Sequence, residues 1–551
     1  MNISNFIRII TVSAIILCNT MRCAAQNDTQ LASETPRLVL ILLVDNMNNE
    51  QLNLLSERFC SDGLKRILYQ GTRIDGAYYD AGGNYVGKNL ATLYTGAPAS
   101  THGIVGRSWL DAKSGKRISA IYGDAYNIRG EIDTAATPKN GLLLCSTIGN
   151  EIRKMYNSTA KIYSVGFDPE MLMWTSGTNI PEPTIWFDTK TGHMETLNVS
   201  SDTTQRWIDD FNSKGIADNY YSKIWAPRYD ILTYHEWRYF PESTGNRTFY
   251  YPMSMPTTAD DKFRLVAGSP YGNSLLRDFA VSLLLNENLG RDDIPDVLTL
   301  QFNATPSCGQ KKQPLDAETE DLLLSIDENI ASLLRVVDHY IGMQNTLVIL
   351  TSASGNYDIA HTKSEQWQSR GAVSLHRVTA LLNLYLMALH GQGKWVSGFS
   401  GNDIYLNRQF ADEKKIVWDS LLVETAQFLT EFQGVANSLI GKQLPTLYTS
   451  IPVVDVMRAN YHPKRSGDII IYLEPGWAME QTDGSQIAQQ WGYEYVPLAF
   501  YGWKIPRNML YERHNMADVA PTICTYLRIG MPNGCSGKPI QLIGSQNDTK
   551  Q

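Results

Sequence analysis

Asp45 stands at the end of Leu38-Val39-Leu40-Ile41-Leu42-Leu43-Val44, seven consecutive apolar residues, and is followed by the polar stretch Asn46-Met47-Asn48-Asn49. A carboxylate released at the end of a buried strand suits one chemistry well, which is holding a cation. In open α/β sheets, ligands gather outside the carboxyl ends of the strands. An apolar run of this length bounded by a turn reads as a strand covered on both faces. The plainer alternative is an aspartate that caps the turn or helix behind it. The two separate on whether other strand ends deliver matching ligands.

The elements that would deliver them alternate along the chain. Leu52, Leu55, Phe59, Leu64 and Ile67 recur at helical spacing with a break near Ser61-Asp62-Gly63. Gly71 to Tyr79 reads as a short strand, Gly82 to Gly87 as a tight turn, and Asn89 to Tyr94 as the start of a helix. Further strands are expected at 160–166, 296–302, 346–351, 468–473 and 495–502, with helices at 147–156, 271–288, 317–341 and 518–527. Strands alternating with helices imply an α/β fold with a doubly wound, mostly parallel central sheet. Insertions are expected at about 184–265, where Trp186, Trp207, Trp225 and Trp237 crowd in, and at about 361–489, inside a domain spanning 36–540. The aromatic segment reads either as a substrate cap or as an excursion with its own small core.

The chain of 551 residues is 43% hydrophobic and 19% charged, an ordinary globular composition that is large enough for one big domain with insertions. Its formal charge is −8, and no Lys/Arg cluster forms a stripe, which argues against nucleic acid or an anionic membrane as partner. The N-terminus reads as a signal peptide over residues 1–25. Arg8 precedes the apolar core Ile9 to Cys18, and Cys23-Ala24-Ala25 offers small residues for cleavage before Gln26. Neither Cys18 nor Cys23 follows the small residue that a lipoprotein signal needs. An exported protein, periplasmic or secreted, is expected, with an uncleaved anchor as the alternative. No later run could cross a membrane. Of the five cysteines beyond the signal, Cys524 and Cys535 could pair locally, or all could be buried thiols.

Several phrases, in order, resemble the alkaline phosphatase superfamily, and within it the exported single-chain phosphatases of the type I phosphodiesterase/nucleotide pyrophosphatase group. They are Leu43-Val44-Asp45-Asn46-Met47, Ala91-Thr92-Leu93-Tyr94-Thr95-Gly96, His102-Gly103-Ile104-Val105-Gly106 and Ser269-Pro270-Tyr271-Gly272-Asn273. Pro463 to Asp468, Leu473 to Trp477, Asp518 to Thr522 and Pro532 to Cys535 continue the series. The resemblance implies a central, mostly parallel sheet with helices on both faces and a smaller cap formed by insertions. It also implies two metal ions, zinc by donor chemistry, that activate a Thr or Ser nucleophile and stabilise the attacking and leaving oxygens.

Carried over residue by residue, that resemblance leaves only Asp45 as a retained family metal ligand. The nucleophile position falls at Val86, which has no hydroxyl. Tyr85 beside it is expected to point elsewhere, and Thr92 and Thr95 are expected to pack or cap. The position of a phosphate-holding Asn falls at Arg107, and a basic pair is replaced by the region Asp168-Pro169-Glu170, two acids that would repel a phosphate. The Asp-x-x-x-His ligands become Pro306 and Gln310, the Asp-His-Gly phrase becomes Ala353-Ser354-Gly355, and the last His becomes Tyr495. Asp358 and His361 are the best replacement ligands. Cys308 lacks a neighbouring His to activate it.

The sequence therefore points to a pseudoenzyme that lacks its nucleophile and most metal ligands. A binding or scaffolding role is expected, with no cofactor, no catalytic residue and a vestigial Asp45 held by backbone hydrogen bonds at its turn. The alternative is an active metal-dependent phosphomonoesterase or phosphodiesterase that uses relocated ligands and zinc.

Overall fold

The computed structural model describes residues 34–543 apart from 83–84, 112–113, 125–141, 176, 178–182, 198–200, 240–247, 256–260, 310–314, 356–370, 481–485 and 489–490. A ten-stranded sheet forms its centre. In chain order its strands are β1 (Leu38–Val44), β2 (Thr72–Gly82), β3 (Ile162–Gly166), β4 (Thr184–Phe187), β5 (Met194–Thr196), β6 (Asp296–Phe302), β7 (Thr346–Thr351), β8 (Trp491–Tyr495), β9 (Leu498–Gly502) and β10 (Asn508–Asn515). Their spatial order is β8-β2-β9-β7-β1-β6-β3-β4-β5, with β10 paired to β2.

β1 lies between β6 and β7 and is parallel to both. Its alternate residues feed two separate cores. Leu38, Leu40, Leu42 and Val44 enter one. Val39, Ile41 and Leu43 enter the other. Side chains on a strand alternate between faces, so a strand covered on both sides reads as a continuous apolar run, as β1 does through Val44. Here it ends at Asp45. Helices cover both faces, as a parallel sheet requires. The long helix α1 (Ala317–Tyr340) lies over the first core, and α2 (Val519–Leu527) belongs to the second.

Three boundaries differ from the sequence expectation. The expected strand over 495–502 is two strands, because Pro497 has no amide hydrogen to continue a ladder. β2 runs on to Gly82, so the expected turn at 82–87 is shorter, and its helix (Val86–Thr95) begins at Val86 rather than Asn89. The aromatic segment begins inside the main sheet: β4 pairs with β3, and β5 with β4.

The rest of that segment is fastened to the start of α1. Asp321 accepts hydrogen bonds from Trp225 Nε1 (2.8 Å), the Arg228 amide (2.9 Å) and the Tyr234 hydroxyl. Glu320 accepts from the His235 amide and pairs with Arg58. Carboxylates in the first turns of a helix also meet its positive end. Trp225, Phe249 and Tyr251 pack ring against ring and join the first core, the one that receives Leu38, Leu40, Leu42 and Val44.

A second sheet of four strands, in the order Val396–Ser400, Asp403–Leu406, Ile469–Leu473 and Val435–Ile440, carries the helices Leu375–His390 and Trp418–Leu429 on a separate core. Cys60, Cys145, Cys308, Cys524 and Cys535 are free thiols. No described helix is long and apolar enough to cross a membrane.

Candidate functional site

Asp45 sits where β1 leaves the sheet, and its amide still donates to Phe302 O at 3.0 Å. Its carboxylate is not held by its own turn, as the sequence suggested. The partner comes from the next strand: Gln301 Nε2 donates to Asp45 Oδ2 at 2.6 Å. The other Nε2 hydrogen faces Met171 Sδ at 3.0 Å. Gln301 Oε1 accepts from the amides of Phe167 (3.1 Å) and Asp168 (3.2 Å). The bonding capacity of the amide group is thus filled. Because two backbone N–H groups fix Oε1, Nε2 has no choice but to face Asp45. The second carboxylate oxygen, Oδ1, is buried and has no hydrogen-bond partner among the described residues. Burial raises the Asp45 pKa to about 7 against the Gln301 bond, with the charge of Asp168 adding to the rise.

Asp168 and Glu170 follow β3. Asp168 caps the short helix Pro169–Leu172, and its Oδ1 accepts from the Glu170 amide at 2.8 Å. Burial lifts its pKa to about 6, with the charge of Glu170 adding to the rise. Glu170 pairs with Arg107 at 2.8 Å. Arg107 therefore meets one of the two acids, and Asp168 keeps its carboxylate without a bonded cation among the described residues.

Tyr85 departs from expectation. It is the residue before Val86 and the N-cap of the helix, and its ring folds back over Gly87, where a Cβ would lie 2.5 Å from Tyr85 Oη. Glycine at that position is what admits the ring. The phenol is pushed well above its ordinary pKa by burial and then by the charges of Glu170 and Asp168, and Oη has no partner among the described residues. The ring thus points toward the acids that end β3.

The remaining sequence candidates do not assemble into a ligand set. Val86 is the first residue of its helix. Thr95 Oγ1 bonds back to Ala91 O at 2.6 Å, and Thr92 Oγ1 to Lys88 O at 3.2 Å, both inside the helix. Pro306 is buried, and Ala353 is fully buried with its carbonyl accepting from Asn89. Ser354 Oγ donates to Glu494 at 2.5 Å. Tyr495 is 39% exposed and lies beneath Arg513. The Cys308 thiol is pushed up to about 11 by burial and Glu318, opposite to the direction a nucleophile needs. Gln310, Asp358 and His361 lie outside the described residues.

Among the described residues, no group of three or more His, Cys, Asp and Glu side chains could hold a metal ion. The donor set around Asp45 does not fit a zinc ion. One carboxylate oxygen is taken by an amide N–H, and the neighbours are an amide and a thioether rather than imidazoles.

Gln301 was not singled out by sequence reasoning, although a signal was there: it is the one amide side chain in Asp296-Val297-Leu298-Thr299-Leu300-Gln301-Phe302. In-register pairing of β6 with β1 places it beside Leu43 at the end of β1.

The type I phosphodiesterase / nucleotide pyrophosphatase family profile matches residues 39–495. A protein named as a calcium-transporting ATPase from Myroides odoratus is 27% identical over 540 residues, covering 95% of this chain and 98% of its own. Alkaline phosphatase PafA from Elizabethkingia meningoseptica is 26% identical over 536 residues, covering 92% and 95%. The crystal structure of wild-type PafA superposes with a TM-score of 0.77 at 23% identity, over 93% of this chain and 99% of that one, which shows a shared fold. The chain belongs to the type I phosphodiesterase/nucleotide pyrophosphatase family of the alkaline phosphatase superfamily, a family of phosphoric ester hydrolases.

Proposed function

We propose that this chain is an exported pseudoenzyme of its family, with a binding or scaffolding role in place of dinuclear metal catalysis. The observation that carries this reading is Gln301. Its amide N–H occupies Asp45 Oδ2, and its orientation is fixed by two backbone amides. A cation that took this oxygen would have to displace the amide and leave a buried N–H unpaired, at a cost of about 1–3 kcal/mol before any ligand exchange. Val86 at the nucleophile position agrees with this, since a hydrocarbon cannot attack phosphorus.

The charges around Asp45 also turn away from phosphate. Asp45 meets the charge of Asp168, Asp168 that of Glu170, and Arg107, the cation beside these last two, is already paired with Glu170. Phosphate esters would meet net negative charge. Asp45 Oδ1 and Tyr85 Oη, both buried, have no hydrogen-bond partner among the described residues and can receive a donor. A donor-rich ligand that is not a phosphate ester suits this arrangement. The apolar N-terminal segment supports a periplasmic or secreted location.

The test is metal content of the purified protein together with hydrolysis of an aryl phosphate. The expected result is no stoichiometric zinc and no turnover above a buffer blank, with Val86→Thr equally inactive. Zinc bound at one or two ions per chain, with turnover that a chelator abolishes, would establish the active alternative and overturn the proposal.

A further inference from the structure

At one margin of the central sheet, β8 and β10 both pair with β2. On one side of β2, Tyr495 stands opposite Tyr78 and Tyr493 opposite Asp80. On the other side, Asn515 stands opposite Tyr78 and Arg513 opposite Gly76. Residues paired across strands point to the same face. Tyr78, Tyr493, Tyr495, Asp80, Asn515 and Arg513 therefore share a face. Their chain neighbours Ala77, Tyr79 and Glu494 are buried on the opposite one.

The rings on this face touch. Tyr78 meets Tyr493 edge to face with centroids 4.8 Å apart, and Tyr495 at 6.1 Å with the planes tilted by 58°. Tyr493 and Tyr495 are each 39% exposed, so both keep ring surface open to solvent. The Arg513 guanidinium lies 5.8 Å from the centroid of the Tyr495 ring. Gly76 lets β10 approach closely enough for this, since a Cβ there would lie 2.9 Å from Glu512 O. At the far end, Asn515 Nδ2 donates to Asp80 Oδ2 at 2.8 Å. Among the described residues Arg513 makes no ion pair, so it is the uncommitted charge of this face.

We infer that this face is a saccharide-binding platform whose ligand is an oligosaccharide bearing uronic acid carboxylates. A pyranose ring turns a flat array of C–H groups toward an aromatic face. Its hydroxyls suit planar polar side chains, and its carboxylate suits the two-pronged guanidinium. The platform offers all three: the rings of Tyr493 and Tyr495, Asp80 with Asn515 at one end, and Arg513 over the ring at the other. Tyr493 and Tyr495 are two residues apart on one strand, a spacing of about 7 Å, which lets one chain of sugars meet both. A cationic ligand is excluded from the Tyr495 ring because Arg513 already lies on it. Charge complementarity thus selects an anion, and the amphipathic rings and planar polar groups select a hydroxylated one. The groups around Asp45 take no part in this platform, so the inference does not rest on the pseudoenzyme reading.

The test is isothermal titration calorimetry of the purified protein with oligogalacturonate and with alginate oligosaccharides, and with xylohexaose as the neutral counterpart. At least one acidic probe is expected to bind with a Kd of about 1 mM or tighter, more weakly as salt is added. Xylohexaose is expected to bind at least tenfold more weakly. Tyr495→Ala and Arg513→Ala are each expected to weaken binding of the acidic probe about tenfold. Both side chains are solvent-facing, so the melting temperature is expected to stay within about 2 °C of the wild type. Arg513→Lys keeps the charge and loses the fork, and is expected to fall between Arg513→Ala and the wild type.

Tyr493→Ser probes the same ring row in the case that Tyr495→Ala does not fold. No heat from either acidic probe at about 10 mM, equal binding of xylohexaose, or acidic binding unchanged in Arg513→Ala or in the tyrosine variants would overturn the inference. Any of these failures leaves the pseudoenzyme reading standing, because that reading is tested by zinc content and turnover.

Discussion

Gln301→Leu tests whether the amide at the end of β6 holds the site together. Leucine keeps nearly the volume and loses every polar contact. The amides of Phe167 and Asp168 lose their acceptor, and Asp45 Oδ2 loses its donor. Leaving a buried polar group unsatisfied costs about 1–3 kcal/mol. Exposure near the strand end relieves part of this, and the added apolar contact returns roughly 1 kcal/mol, so a net loss of about 4 kcal/mol is expected. For roughly 500 ordered residues the unfolding entropy is on the order of 1 kcal/mol per degree, which makes the expected fall in melting temperature about 4 °C. Gln301→Glu gives a second readout with a definite sign. One oxygen can still accept from the two backbone amides, but the other faces Asp45 Oδ2 across the position of a former hydrogen bond. Two carboxylates that close share a proton. The variant is therefore expected to melt well below the wild type at pH 8 and to recover most of the difference at pH 5. Differential scanning fluorimetry at the two pH values measures both variants. A Gln301→Leu that melts within about 1 °C of the wild type, or a Gln301→Glu indifferent to pH, would refute the claim that this amide locks Asp45.

Other expectations follow from the same reasoning. His102 is fully buried, accepts from the Ile104 amide through Nδ1 and meets Thr92 through Nε2. Its pKa is lowered to about 3 by burial and by the cations Lys88 and Arg465, with His462 adding a smaller share. The unfolded chain takes this proton first, so its contribution is complete above about pH 6.5 and is lost as pH falls toward 3. Between pH 6.5 and 4.5 it should remove roughly 2–3 kcal/mol. His102→Gln is expected to flatten the fall in melting temperature over that interval by about 2–3 °C. Asp403, raised to about 7 by burial, acts with the opposite sign in the same window. Comparison with the variant removes its share. Asp321→Ala strands Trp225 Nε1, the Arg228 amide and the Tyr234 hydroxyl. It is expected to speed limited proteolysis within residues 202–255 at least tenfold, while cleavage in the second sheet stays unchanged. Gly87→Ala places a methyl group in the space of the Tyr85 ring. It is expected to lower the melting temperature by about 1–3 °C, and Gly87→Ala/Tyr85→Ala to recover part of that loss.

The sequence made β1 and Asp45 legible because all seven residues of β1 are apolar and buried, so the carboxylate that follows marks the sheet edge. The ordered phrases made the family and the fold legible. The partners of Asp45 were less legible, and the reason is specific. Sequence spacing reports which residues share an element, whereas Gln301 reaches Asp45 across a strand boundary set by the register of β6 on β1. Tyr85 was misplaced because the helix starts three residues earlier than its apolar spacing suggests, which turns a loop residue into an N-cap with an inward ring. Lys88 and Glu494 look like surface residues in the sequence, and only the convergence of β2, β8 and the second sheet buries both. Long-range pairings of this kind are what apolar periodicity cannot encode.

The two polar centres solve one electrostatic problem in different ways. A carboxylate brought out of water at a strand end needs a metal ion, a bonded side-chain cation, a proton or enough hydrogen-bond donors. At Glu494 the bonded donors are Ser354 Oγ, the Gly355 amide and Asn89. Compensation there comes wholly from within the chain. At Asp45 the donor is the Gln301 amide, and the other, buried oxygen has none among the described residues; burial raises its pKa to about 7, and the single bond does not offset it. A site with complete compensation gains nothing from a ligand, whereas a site with a deficit does. The deficit lies at Asp45, beside Asp168, and so a ligand for the proposed binding role is to be sought there rather than at Glu494. The donor it needs at Asp45 Oδ1 is a hydrogen-bond donor or a positive charge, which is the reverse of what a phosphate ester brings.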